Sequence, residues 1–328
     1  GGEQQKLALA SVLARRPPVL VLDEPLSMLD STAAHDLVAH LGDLLDKGQT
    51  LVICEHRRSY LRTLPSLRMI PIGEERVNPA AAMPQPDSSI SSPVEDGNFF
   101  LHCEGLTVSR GENPVLHNLN FSLGSGQVVA LVGPNGVGKT TLLRTLAGLQ
   151  PAEGCLKIET SHSAQSPEFG LVFQNPDLQL FNASVREEIL YGIQQPDHEW
   201  YSWLIQVLGL ERYEHTPPLL LSEGEKRRLA LATALIRRRR HGILLDEPSL
   251  GQDAAHKAIL TRVLHALAQS GFLVIMATHD LELAAQADTL MLIGTQGILA
   301  QGAANDLFHR PELWSELGLW LPDWAGAA

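Results

Sequence analysis

The sequence predicts an α/β fold organised around a phosphate-binding loop, and three observations carry that expectation. Gly133-Pro134-Asn135-Gly136-Val137-Gly138-Lys139-Thr140-Thr141 is a glycine followed by four residues and then Gly-Lys-Thr, the spacing of a loop that cradles phosphates. An apolar run at residues 127–132 reads as a buried strand entering the loop, and residues 141–149 read as a helix leaving it. Finally, Val19-Leu20-Val21-Leu22 runs into Asp23-Glu24, and Gly242-Ile243-Leu244-Leu245 runs into Asp246-Glu247. Short buried strands ending in acids deliver them to the C-terminal edge of a sheet, where α/β folds bind ligands.

The glycines let successive backbone N–H groups point into one concavity, and the helix N-terminus adds positive potential there. Lys139 is placed to reach the outer phosphates and the Thr140 hydroxyl to sit on Mg²⁺. The net charge of −12 argues against nucleic acid as a partner. No apolar run is long enough to span a membrane, and the three cysteines, Cys54, Cys103 and Cys155, lack metal-ligand spacing and suit a reducing compartment.

In chain order, Gly1-Gly2-Glu3 opens onto a helical pattern at residues 7–13, and the Val19 strand delivers Asp23 and Glu24. Leu51-Val52-Ile53-Cys54 reads as a second strand delivering Glu55 and His56, and residues 69–72 as a third. Pro79, Pro84, Pro86 and Pro93 break a polar linker at residues 78–97, which spans roughly 25 Å on average. Beyond the phosphate loop, Leu221-Ser222-Glu223-Gly224-Glu225 leads into a helix at residues 225–236. The Gly242 strand then delivers Asp246 and Glu247, and residues 272–277 deliver Thr278, His279 and Asp280. Asp23 and Asp246 stand 223 residues apart, and so do His56 and His279. One offset shared by two landmarks predicts an internal duplication in which the first copy lacks a phosphate loop.

Together these motifs resemble the ATP-binding cassette (ABC) ATPases along the whole chain apart from the linker. The resemblance implies a P-loop NTPase with a RecA-like core plus antiparallel β and α-helical subdomains. It makes residues 1–77 the C-terminal remnant of a first cassette and residues 98–328 a complete second cassette, the chain being cut inside the first signature. Residues 133–140 resemble Walker A, Asp246 and Glu247 Walker B with its catalytic acid, and residues 249–253 the D-loop. His279 resembles the switch histidine, Gln174 the Q-loop glutamine, and Ser222, Gly224 and Glu225 the signature. In the first copy Gly1 and Gly2 match the end of a signature, and Asp23, Glu24, Ser27-Met28-Leu29-Asp30 and His56 match Walker B, D-loop and switch.

What the resemblance implies is ATP bound with Mg²⁺, the metal held by Thr140, Gln174 and Asp246. Glu247 would polarise the attacking water as general base, with His279 and Gln174 at the γ-phosphate. Each signature would close over the ATP of the opposite cassette, an intramolecular pairing. Glu223, where the family pattern has glycine, adds a negative charge near phosphate and predicts a weaker second site. The stretch Leu106-Thr107-Val108-Ser109-Arg110 lacks the expected adenine-stacking aromatic, leaving Arg110 to stack instead. Arg237 to Arg240 end the signature helix, where cations favour the dipole and face solvent. Trp314, Trp320 and Trp324 suit packing on their own domain or across a dimer.

The wording Gln174-Asn175-Pro176-Asp177-Leu178-Gln179-Leu180-Phe181 is similar to that of energy-coupling-factor importers of vitamins, vitamin precursors or transition-metal ions. This implies a peripheral ATPase on the cytoplasmic face, with a transmembrane coupling protein and a substrate-binding membrane protein as partners. Asp177, Leu180 and Phe181 would receive a basic helix of the coupling protein. The rival is a soluble tandem-cassette ATPase acting on ribosomes. Such proteins carry long charged linkers and basic surfaces, whereas this linker is short and Pro-rich with only Asp87, Glu95 and Asp96 charged, and the net charge is negative.

Overall fold

The computed structural model describes residues 11–12, 14, 17–27, 29–70, 98–160, 163–237 and 241–322. Gly1, Gly2, the linker at 78–97, Arg238 to Arg240 and Trp324 therefore lie outside the described residues.

The N-terminal unit comprises Val19–Asp23 (β1), Ser31–Asp46 (α1), Thr50–Cys54 (β2) and the single turn Arg58–Leu61 (α2). The two strands pair in parallel from Val19↔Thr50 to Asp23↔Cys54. Asp30 caps α1 by accepting from the Ala33 N–H, and Ala34, Val38 and Leu41 follow at helical spacing to bury one stripe. That stripe packs with Leu20, Leu26 and Tyr60. Among the described residues only one face of this sheet is covered: Leu20 is 1% exposed, whereas its neighbour Val21 is 70% exposed. The expectation of a fully buried strand at residues 19–22 is therefore corrected, because the described helices lie against one face alone. Met69 and Ile70 form no third strand and are exposed; the rest of that predicted strand is outside the described residues. Apolar β-branched composition without a neighbouring ladder does not make a strand.

The larger unit runs Phe100–Arg110 (β3), Asn113–Gly124 (β4), Val128–Val132 (β5), Lys139–Leu146 (α3), Ala152–Glu159 (β6), Ala164–Gln165 (β7) and Phe169–Val172 (β8). Three helices follow, Val185–Leu190 (α4), His198–Val207 (α5) and Glu223–Leu235 (α6). Gly242–Asp246 (β9), Ala254–Gln269 (α7), Leu273–Ala277 (β10) and Leu281–Ala284 (α8) return to the sheet. Thr289–Gly294 (β11), Gly297–Ala303 (β12), Ala304–Phe308 (α9) and Pro311–Glu316 (α10) close the unit.

The central sheet has the order β12-β11-β5-β10-β9-β8, parallel except for the β11–β12 hairpin. β5, β9 and β10 are buried at every residue, as continuous apolar runs in a doubly covered sheet must be. A second, antiparallel sheet of order β4-β3-β6-β7 packs with α3 on one face, and α4 to α7 pack on the other. The α/β class, the core sheet, the antiparallel sheet and the helical group are those the sequence predicts. β10 lies between β5 and β9 with Ala277 level with both Leu131 and Asp246, so the phosphate loop and the two acids emerge at one edge.

The two units touch through the C-terminal segment. Trp320 stacks on His35 with ring centroids 4.7 Å apart and lies 5.1 Å from Tyr60, while its backbone N–H donates to Thr32 Oγ1 at 2.8 Å. Trp314 is instead buried in its own unit against Phe308. The aromatic tail thus packs both ways. Trp320→Ala should lower the stability of the N-terminal unit by about 2 kcal/mol, the worth of a largely buried large side chain. Denaturant unfolding of the full-length protein reads this as an early transition confined to residues 17–70.

Candidate nucleotide-binding site

β5 ends at Val132 and runs into Gly133, where only glycine fits: an added Cβ would lie 2.2 Å from the Ile293 carbonyl oxygen. Gly138 has φ +114° and lies against the Val115 and Leu116 side chains of β4, so the loop is pressed onto the antiparallel sheet. Pro134, Asn135 and Gly136 form the exposed or half-exposed crest, while Val137 turns inward into the core. Lys139, Thr140 and Thr141 form the first turn of α3, two residues earlier than the predicted start.

The buried Lys139 ammonium donates to the Gly133 and Pro134 carbonyls at 2.7 and 3.0 Å. Burial draws its pKa down, opposed by the carboxylates of Glu247, Asp246 and Asp30. Thr140 Oγ1 donates to Asp246 Oδ2 at 2.9 Å, joining the helix start to the end of β9. Burial, and then the charge of Glu247, push the Asp246 carboxyl up to about 6 despite this hydrogen bond. A hydroxyl and a carboxylate that burial leaves short of positive charge fit Mg²⁺, which takes one or two protein oxygens and completes its shell with phosphates and water.

Glu247 sits in the left-handed region at φ +52°, a conformation costly for a glutamate and characteristic of functional turns. Its N–H donates to the Ala277 carbonyl at 2.9 Å, so the turn is pinned to β10. His279 Nδ1 lies 2.8 Å from Glu247 Oε1, and both side chains are under a tenth exposed. Burial alone would raise the Glu247 pKa, but the His279 imidazole and Lys139 outweigh it and hold the carboxyl below its ordinary value.

The N-terminal unit presents a parallel set of groups. Glu24 also has φ +44°, its N–H donates to the Cys54 carbonyl at 2.8 Å, and His56 Nε2 lies 3.4 Å from its carboxylate. The hydrogen bond between them, more than their charges, lowers the Glu24 pKa and raises that of His56. Asp23 is exposed at the end of β1. This unit faces the phosphate loop directly: Asp30 Oδ2 accepts from the Asn135 N–H at 3.2 Å. His279 Nε2 meets the Ser27 carbonyl at 2.7 Å. Sequence reasoning placed Ser27 and Asp30 in a motif but missed these two contacts, for which a linear pattern carries no signal.

The signature residues begin α6. Ser222 is its N-cap and forms a reciprocal capping box with Glu225, whose carboxylate accepts from the Ser222 N–H at 2.8 Å. An added Cβ on Gly224 would lie 3.3 Å from the Gly251 carbonyl oxygen, which places the helix start against the turn after β9. Glu223 does not stand as a bare charge, since Lys226 Nζ lies 3.3 Å from its Oε1.

The same lysine donates to Asp177 Oδ1 at 2.8 Å, so the carboxylate expected to receive a basic helix is already engaged. Leu180, expected on that contact surface, is buried in the core, while Leu178 and Phe181 are exposed. Gln174 is exposed just beyond β8, with its backbone carbonyl taken by Arg227 Nη1 at 2.7 Å. Its side chain makes no hydrogen bond to Thr140 or Asp246. Arg110 is exposed at the tip of the β3–β4 hairpin, and Arg237 donates to the Tyr191 carbonyl.

A family model described as ABC transporter matches residues 116–250. A Treponema denticola protein provisionally named ABC transporter ATP-binding protein is 31% identical over 346 residues, covering 96% of this chain and 70% of the relative. The chain belongs to the ABC transporter ATP-binding proteins, a family of ATPases. A Bacillus subtilis protein provisionally named HMP/thiamine import ATP-binding protein YkoD is 30% identical across 94% of the chain. The chain spans 66% of the length of that relative. Among solved structures, cbiO1 of Clostridium perfringens, described as part of the ABC transporter complex cbiONQ, superposes with a TM-score of 0.55. It is 26% identical, covering 69% of this chain and 96% of cbiO1. A bacterial Atm1-family ABC exporter with ATP bound shares the fold at 23% identity and a TM-score of 0.57, over 67% of this chain and 42% of the exporter. Among the described residues no helix is long and apolar enough to cross a membrane.

Proposed function

We propose that the chain is the ATP-hydrolysing part of a membrane importer of the energy-coupling-factor type, serving a vitamin, a vitamin precursor or a transition-metal ion. The observation that carries the chemistry is the buried pair Glu247–His279 beside the Thr140–Asp246 contact at the mouth of the phosphate loop. The loop amides and Lys139 bind the phosphates of ATP, and the helix start of α3 favours their charge. Mg²⁺, held by Thr140 and Asp246 with Gln174 as a further oxygen ligand, would neutralise phosphate charge. Glu247, ionised and held by His279, accepts the proton of the attacking water. His279 also orients that carboxylate, so the base is preorganised before substrate arrives.

Residues 1–77 and 98–328 are read as parts of two cassettes of one chain, joined by the linker at 78–97. The matching turns at Glu24 and Glu247 support this, each with positive φ and each pinned to the neighbouring strand. Ser222, Gly224 and Glu225 would then close over nucleotide on the opposite cassette, and Gly1 and Gly2 over the nucleotide at residues 133–141. The importer reading is supported by the naming of YkoD and by the membership of cbiO1 in a transporter complex. A transmembrane coupling protein and a substrate-binding membrane protein follow as partners at the cytoplasmic face. Exposed Leu178 and Phe181, the latter in edge contact with Tyr191 at 4.9 Å, are the proposed landing point.

The test is to capture the full-length protein from detergent-solubilised membranes and identify what accompanies it by mass spectrometry. Small, very hydrophobic multi-span proteins are expected. Ribosomal proteins without a membrane companion would sink the importer reading.

A further inference from the structure

We propose that Lys226 and Arg227, consecutive cations near the start of α6, latch residues 174–177, with Arg227 acting as the positioning residue for Gln174. Two ties run from one helix to this short segment, and a third to the residues flanking it. Arg227 Nη1 donates to the Gln174 carbonyl at 2.7 Å, and Lys226 Nζ to Asp177 Oδ1 at 2.8 Å. Two residues on, the Gln179 amide bridges the Phe173 N–H (2.9 Å) and the Ala230 carbonyl of α6 (3.4 Å). The first two are charge-assisted and fix both ends of residues 174–177. The Lys226 side chain is 11% exposed, so its ammonium is held rather than free to sweep.

Arg227 is suited to report on the site. Its guanidinium is largely buried within electrostatic range of Glu223, Glu247, Glu24 and Asp246. Its Nε is enclosed without a hydrogen-bond partner. The cation thus holds the Gln174 backbone while feeling the charge of the acids of the phosphate site, on the helix whose start carries the signature. Any shift of α6 toward nucleotide moves the Gln174 carbonyl with it, which ties the two ATP sites of the proposed pair through one helix turn.

This inference rests on the reading of Gln174 as a metal and γ-phosphate ligand, and the test separates the two. In the full-length protein, hydrogen–deuterium exchange across residues 172–181 is measured without nucleotide for wild type, Arg227→Met and Arg227→Lys. The Mg²⁺ concentration for half-maximal hydrolysis is measured for the same proteins and for Gln174→Ala. Arg227→Met should speed exchange and raise the Mg²⁺ requirement, each roughly tenfold, the scale of losing one charge-assisted hydrogen bond. Arg227→Lys, which keeps a cationic donor, should recover most of both. Metal-free ATP binding should be unchanged. If Gln174→Ala shifts the Mg²⁺ requirement and Arg227→Met moves neither readout, the latch is overturned alone. If Gln174→Ala leaves the requirement unchanged, the role of Gln174 falls and the positioning role of Arg227 with it. Should Arg227→Met not fold, Asp177→Asn frees the other end and must speed exchange at residues 176–178; unchanged exchange there overturns the latch.

Discussion

Glu247→Gln in the full-length protein is expected to bind ATP with wild-type affinity and to lose turnover by about 10²–10⁴-fold, the range for removing a positioned general base. The amide keeps the size of the carboxylate and can still meet His279, so the turn pinned to Ala277 should hold. What it loses is the ability to take a proton from water. No phosphate contact is expected to depend on it, because the loop amides and Lys139 come from β5 and α3. Equilibrium binding with a fluorescent nucleotide and single-turnover hydrolysis separate the two effects. Loss of binding together with turnover would show that Glu247 holds the loop rather than serving the chemistry.

Much of the fold was legible because it rests on local patterns. The runs at β5, β9 and β10 are apolar at nearly every residue, and a doubly covered parallel strand has no other way to read. The glycine spacing at residues 133–138 is dictated by backbone sterics, as the Ile293 carbonyl against Gly133 demonstrates. The site was legible to the extent that its groups follow strand ends: Asp246, Glu247 and His279 leave adjacent strands and meet. What was not legible depends on contacts between segments far apart in sequence. Nothing near Asp177 foretells that Lys226, 49 residues away, will engage its carboxylate. Leu180 and Phe181 are neighbours of equal apolarity, and only the tertiary fold decides that one is buried and the other exposed. The strand pattern at Val21 reports which residues are apolar, not whether a second layer covers them.

Asp246→Asn is expected to abolish hydrolysis while making the metal-free protein more stable above pH 6. Burial and the neighbouring Glu247 hold the Asp246 carboxyl near 6, against 3.8 in the unfolded chain. A folded value above the unfolded one favours the protonated form, so this group's contribution is fully present below about pH 4 and is lost as pH rises through 6. By pH 7.5 the ionised carboxylate costs roughly 3 kcal/mol. Asparagine has no charge to bury and can still accept from Thr140, so the variant escapes that cost. Denaturant unfolding in chelator should therefore show a small difference between the proteins near pH 4.5 and a gap in favour of the Asp246→Asn variant of about 2–3 kcal/mol at pH 7.5. Glu247 titrates in the opposite sense, its lowered value giving stability that is lost on acidification, and because its charge is one cause of the raised Asp246 value the gap includes that coupling. Mg²⁺ with nucleotide should reverse the ranking, stabilising wild type far more than the variant, because a cation beside the carboxylate removes the reason its ionisation is unfavourable. A gap that is the same at both pH values would mean that the carboxylate is ionised without penalty, and the metal would then have no destabilised charge to relieve.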